Sequence, residues 1–213
     1  MQIKTITVGP FEVNCYLCWD QISQDGVIVD PGFGGEEIIR QIEAAGMKPR
    51  AILLTHGHGD HIAAVKSVKD HFDLPLYVGR GDEKMLASPS ENVSALVGEP
   101  IVAPEPDYLL DDEQVVRRGT ISFQVLHTPG HTPGGVCYFN AEANLVFTGD
   151  TLFWGSVGRV DLPGGDGPTL INSIRTKLMP LGDEVDCYPG HGPATSIGFE
   201  RNNNPFVTGQ YRI

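Results

Sequence analysis

One run of seven residues, Thr55-His56-Gly57-His58-Gly59-Asp60-His61, constrains this chain more than any other feature. Three imidazoles and a carboxylate fall within six positions. The run follows Ala51–Thr55, a short apolar stretch read as a buried strand. It opens Asp60–Phe72, where Ile62, Val65, Val68 and Phe72 form one helical stripe. Glycines at 57 and 59 are expected to let the backbone turn sharply between the imidazoles. His56 and His58 would then be aimed together from a loop, and Asp60 and His61 from the first helical turn. Imidazole nitrogen and carboxylate oxygen are the donors a zinc-type cation takes, at ~2.0–2.2 Å. Read alone, Asp60 is a good helix N-cap. Beside three histidines it is read as a ligand.

Three further stretches repeat one pattern, a strand followed by a polar turn with glycine. Ile121–Leu126 runs into Thr128–Gly134, which carries His131. Leu145–Phe147 runs into Thr148-Gly149-Asp150, and Val185–Tyr188 into Pro189-Gly190-His191-Gly192. Ligand sites of α/β proteins gather at such strand ends. His127 lies on the strand and His71 ends a helix, so both are read as structural. The candidate ligands are then His56, His58, Asp60, His61, His131, Asp150 and His191. One cation cannot take all seven and keep a position open. Two cations can, with Asp150 as a bridge, His56, His58 and His131 on one side, and Asp60, His61 and His191 on the other. Metal binding lowers the pKa of water from 15.7 to ~7, so the expected nucleophile is a metal-bound hydroxide. Asp60 is the candidate catalytic group, orienting that hydroxide or shuttling its proton. Zinc is the first choice of metal, and iron and manganese also accept this ligand set.

The remainder of the 213 residues reads as one domain, 1–213, large enough for a sizeable core. Strands are expected at Ile3–Val8, Phe11–Trp19, Gly26–Asp30, Leu76–Val78 and Gly135–Phe139, besides those already named. Helices are expected at Glu36–Ala45, Thr169–Met179 and Thr195–Arg201; Arg80–Glu99 is weakly helical and then loop-like. Hairpins mixed with helices imply an α/β sandwich with mixed sheets. The net charge of −12 argues against nucleic-acid and anionic-membrane partners. No signal-peptide pattern opens the chain and cysteines are few, so a reducing, cytoplasmic setting is expected. Cys15 and Cys18 spell C-x-x-C, but on a strand positions i and i+3 face opposite ways, so a redox or metal pair is not expected.

The ordered set His56-x-His58-x-Asp60-His61, His131, Asp150 and His191 resembles the dinuclear pattern of the metallo-β-lactamase superfamily along nearly the whole chain. Further stretches are similar to its glyoxalase-II-like (hydroxyacylglutathione hydrolase-like) branch, in particular the short bacterial members. They are Asn14-Cys15-Tyr16, Thr148–Phe153, Gly158-Arg159-Val160-Asp161, Pro163–Asp166, Pro189–Pro193 and Phe199–Phe206. The resemblance implies an αββα sandwich, two mixed β-sheets flanked by helices, with the metals at a sheet edge. It also implies hydrolysis of small-molecule thioesters such as S-lactoylglutathione. Long glyoxalase II enzymes carry a C-terminal helical domain that supplies much of the glutathione site. Here 22 residues follow His191, so no such domain is expected. Substrate contacts are expected from Arg159, as a carboxylate clamp unless it pairs with Asp161, and from Trp154, as a pocket wall unless it merely packs. A second reading comes from similarity to persulfide dioxygenases, which would use one iron on His56, His131 and Asp150. Zinc β-lactamases lack the bridging aspartate, which sets this chain apart from them.

Overall fold

The computed structural model describes residues 1–211. Side chains of a strand alternate between its two faces, and here both faces are apolar. On β2 (Val13–Trp19), Cys15 and Leu17 enter one core while Tyr16 and Cys18 enter another. The strand is therefore buried on both sides, and the two thiols diverge as the spacing implied. The same division holds for β3 (Asp25–Val29) and β4 (Lys48–Leu53), where Ile28 and Ile52 face away from Val27, Val29, Ala51 and Leu53.

The first sheet runs in the order β1 (Gln2–Val8), β2, β3, β4, β5 (Leu76–Gly79), β6 (Tyr108–Leu110). Its first three strands are antiparallel and the rest parallel. The second sheet is built from β7 (Val115–Arg118), β8 (Ile121–His127), β9 (Val136–Asn140) and β10 (Leu145–Gly149). A small hairpin follows, β11 (Leu152–Phe153) and β12 (Ser156–Val157). Then β13 (Asp186–Pro189) pairs parallel with β10 and antiparallel with β14 (Thr195–Ser196). The sheets face each other across Tyr16, Phe123, Tyr138 and Phe147. Helices α1 (Gly35–Ala44), α2 (Gly59–Ile62) and α3 (Val65–Phe72) cover the outer face of the first sheet through Ile38, Ile42, Ile62, Val65 and Val68. Helices α4 (Gly167–Ser173) and α5 (Ile197–Asn203) cover the second through Leu170 and Ile197. The result is the αββα sandwich of two mixed sheets. No helix among the described residues is long and apolar enough to cross a membrane.

The structure departs from expectation in several places. The helix expected over Asp60–Phe72 is broken, because the Ala64 N–H donates to Pro31 O (3.1 Å) across the first sheet's edge. It also starts at Gly59, so Asp60 sits inside the first turn and is not its cap. Arg80–Glu99 contains two 3-10 segments, Arg80–Ala87 and Ser94–Val97. The helix expected over Thr169–Met179 starts at Gly167, capped by the Asp166 carboxylate, and changes to a π turn at Ile174–Leu178. Strands β6, β7, β11, β12 and β14, of two to four residues, are too short for alternation to be read from sequence, and the helix expected from Thr195 starts at Ile197.

Candidate metal centre

Five polar side chains stand just beyond strand ends on one rim of the sandwich. β3 leads to Asp30, β4 to His56, β8 to His131, β10 to Asp150 and β13 to His191. The rim is fastened by bonds between the sheets, Val136 N–H to Thr55 O (2.8 Å) and Asn14 N–H to Gly190 O (2.8 Å). The Tyr16 hydroxyl adds a bond to Pro189 O (2.6 Å).

The donor atoms of His56, His58 and His131 lie within 4.8 Å of one another, and so do those of Asp60, His61 and His191. Asp150 lies between the two groups. Its Oδ2 is 3.5 Å from both His131 Nε2 and His191 Nε2, and its Oδ1 is 3.5 Å from His61 Nε2. The seven side chains named from the sequence thus come together, in the two sets proposed, with Asp150 shared.

Four of the five imidazoles are oriented by what their other nitrogen meets. His131 Nδ1 faces Arg159 O (2.7 Å) and His191 Nδ1 faces Phe11 O (2.9 Å). His61 Nδ1 faces Asp30 Oδ2 (3.1 Å). His56 Nδ1 faces the Thr55 hydroxyl (3.1 Å), which itself donates to Asp30 Oδ2 (2.6 Å). Metal-ligating histidines are held in this manner by carbonyls and carboxylates. His58 turns Nδ1 toward His131 Nε2 (2.9 Å).

Whether these residues fit cations is decided by their unpaired atoms. Buried polar atoms nearly always have partners, yet His56 Nε2 and Asp150 Oδ1 in the cluster have none. Electrostatics points the same way. Burial pulls His61 and His191 down, but the carboxylates outweigh it. Asp150, Asp60 and Asp30 bring His61 to about 10, and Asp60 and Asp150 raise His191. Burial would raise Asp60, and His61 and His191 outweigh it, holding Asp60 well below the usual range. His58, by contrast, is pushed to about 3 by burial and by His131. The pocket therefore favours positive charge beside the carboxylates and neutral, lone-pair-bearing imidazole at His58. The donor set fits two divalent cations.

Two organising residues escaped the sequence reading. Asp30 serves both His56 and His61, and holds the Thr55 N–H (2.7 Å) as well. Val27-Ile28-Val29-Asp30-Pro31-Gly32 is also a strand end beside glycine, but the donor precedes the glycine instead of following it as at Asp150. Asp82, fully buried, accepts from the Gly57 N–H (3.0 Å), the Thr132 hydroxyl (2.7 Å) and the Gly134 N–H (2.6 Å). No pattern in Arg80–Glu99 advertised it.

The glycines act differently from expectation. Neither Gly57 nor Gly59 adopts the left-handed backbone region. They permit close packing instead, since a Cβ at Gly57 would stand 2.8 Å from Met85 Cβ, and one at Gly59 2.7 Å from Ser94 Cβ. Gly190 does the same for the centre, as a Cβ there would overlap Asp150 Oδ1.

A cavity of about 590 Å³ opens over the centre, touching His58, Asp60, His131, Asp150 and His191. Arg159 lines it, with its guanidinium paired to Asp161 (2.7 and 2.8 Å). Trp154 is not among the lining residues; it is 57% exposed and stacks on Phe199 at 6.2 Å. The β11–β12 turn carries it outward while its neighbour Phe153 lines the cavity. His71 pairs with Glu43 (3.3 Å) and His127 Nε2 meets Pro133 O (3.1 Å), both outside the cluster.

An αββα sandwich with a histidine–aspartate cluster suited to two cations at its sheet edge defines a class of metal-dependent hydrolases. The chain belongs to the metallo-β-lactamase superfamily, whose sequence profile matches residues 8–191. It is 40% identical to the hydroxyacylglutathione hydrolase GloC of Haemophilus influenzae over 97% of this chain and 98% of that one. Among solved structures, the BLEG-1 B3 metallo-β-lactamase superposes with a TM-score of 0.95 at 42% identity, covering 98% of this chain and 100% of that one. A di-iron-bound form of TTHA1623 superposes with a TM-score of 0.86 at 39% identity, covering 95% of this chain and 99% of that one.

Proposed function

We propose that this chain is a glyoxalase-II-like hydrolase that cleaves small-molecule thioesters at a two-metal centre, with zinc as the metal. The observation that carries the reading is the pair of donor sets sharing Asp150 at the floor of a substrate-sized cavity. His56, His58 and His131 would hold one cation, and Asp60, His61 and His191 the other. Bound there, the cations would supply Lewis acidity that ionises water near neutral pH and polarises an acyl carbonyl.

The protein's own groups do the rest. Asp30, Thr55, Phe11 O and Arg159 O lock four imidazoles in place, so little reorganisation accompanies the reaction. Asp60 borders the cavity and is held well below the usual carboxylate range by His61 and His191, so it would act as a fixed anion that orients the attacking water. A thiol of pKa ~8.5 leaves without a strong general acid. The four cysteines are free and buried, and burial pushes Cys18 to about 12, so none is poised as a nucleophile.

The test is elemental analysis of the purified protein beside cleavage of S-lactoylglutathione, a chromogenic thioester and a chromogenic β-lactam. Two metals per chain with oxygen-independent thioester cleavage is expected. One iron per chain with oxygen uptake would replace this reading by a persulfide dioxygenase on His56, His131 and Asp150. β-Lactam cleavage without thioester cleavage would overturn it in favour of the activity named for BLEG-1.

A further inference from the structure

The walls of the cavity say which thioester fits. Several segments contribute large apolar side chains: Phe11, Phe33, Leu96, Ile101, Phe153 and Leu162. Phe11 and Leu96 are 45% and 74% exposed, a cost in water that an apolar occupant would relieve. Among the described lining residues Arg159 is the only lysine or arginine, and Asp161 already neutralises it. A glutathione moiety carries two carboxylates and an ammonium, and these walls offer it no uncommitted cationic side chain. A carbonyl placed over the centre sends its two substituents toward walls where these six side chains stand beside Asn92, Ser94 and Ser156.

We propose that the preferred substrate is an uncharged thioester with an apolar acyl chain of medium length, and not a peptide-thiol conjugate. This rests on the thioesterase reading and narrows it. In the reaction water adds its oxygen to the carbonyl carbon and the C–S bond breaks. The sulfur leaves with the bonding pair as thiolate and takes up one proton from the medium according to pH, and the acid product leaves as carboxylate.

The test compares acetyl, butyryl and hexanoyl thioesters of N-acetylcysteamine with S-lactoylglutathione, using the as-purified metalloprotein. Each buried methylene is expected to raise kcat/KM about fourfold, so hexanoyl exceeds acetyl by more than about a hundredfold. Hexanoyl is also expected to exceed S-lactoylglutathione. A flat series, or S-lactoylglutathione as the best substrate, overturns the inference while leaving the thioesterase reading intact. Cleavage of no thioester removes both. Phe11→Ser keeps the Phe11 carbonyl that meets His191 and alters a half-exposed side chain. It should lower the hexanoyl-to-acetyl ratio about tenfold, and an unchanged ratio rejects Phe11 as a wall. Binding supplies a second readout. N-Butylhexanamide, which is not a thioester, should bind about a hundredfold tighter than N-butylacetamide by calorimetry, and equal Kd values count against the proposal.

Discussion

Replacing Asp82 by alanine tests whether one buried carboxylate holds the two halves of the centre together. Asp82 receives one bond from Gly57, inside the histidine run, and two from Thr132 and Gly134, which flank His131. Alanine leaves three buried donors without an acceptor, at ~1–3 kcal/mol each. Water entering the vacated space re-satisfies part of this. Removing a buried carboxyl also returns its desolvation cost, the main cause of the raised pKa of Asp82. The net loss expected at pH 7 is about 3 kcal/mol, or roughly 6–12 °C in Tm for a chain of this size. Because its pKa is raised, Asp82 stabilises the fold most when protonated, below the ordinary carboxylate range. That contribution falls as pH rises through the raised value, so the gap between wild type and variant should narrow upward from about pH 4. Asp82→Asn has the same shape but turns an amide N–H toward a donor, and should lose most of the same stability. Urea unfolding with chelator in both samples removes the metal's own contribution. A loss below about 1 kcal/mol, with metal content unchanged, would refute the reasoning.

Asp150→Ala should lower the metal content toward one or zero per chain and abolish hydrolysis; elemental analysis showing unchanged stoichiometry would reject the bridge. Gly190→Ala should push Asp150 off its position, since the new methyl would overlap Oδ1 and stand 2.7 Å from His61 Cε1. Reduced metal content with a native circular dichroism spectrum is the expected result. Chelation should lower Tm, because a ligand bound only by the folded state stabilises it by RT ln(1 + [L]/Kd). A Tm insensitive to chelator would argue against a metal held by these side chains.

The metal centre was legible in the sequence because each candidate lies in a local pattern that needs no partner to be seen. An apolar run, then glycine, then one donor marks His131, Asp150 and His191, and the histidine run supplies the others. Asp30 stands before its glycine, out of that order, and its role is to hold His61 from 31 residues away. Asp82 was illegible, since it sits in a 3-10 segment with no periodicity and its partners are 25 to 52 residues distant. Glycines at 57 and 59 were recognisable as necessary, but the reason, close approach of Met85 and Ser94, was not.

The sequence by itself determined the kinds of donor, their order along the chain and the strand ends that carry them, because strand alternation and glycine turns act over a few residues. The tertiary structure alone decided that His56 and His131, 75 positions apart in sequence, face one another, that Trp154 points outward while Phe153 points in, and that Phe11, Phe33, Leu96 and Ile101 line one cavity. Those outcomes depend on how two sheets stack across Tyr16, Tyr138 and Phe147 and on which loops that stacking brings to a common rim. Burial drives that stacking through the summed area of many side chains, and no single stretch of the chain encodes it.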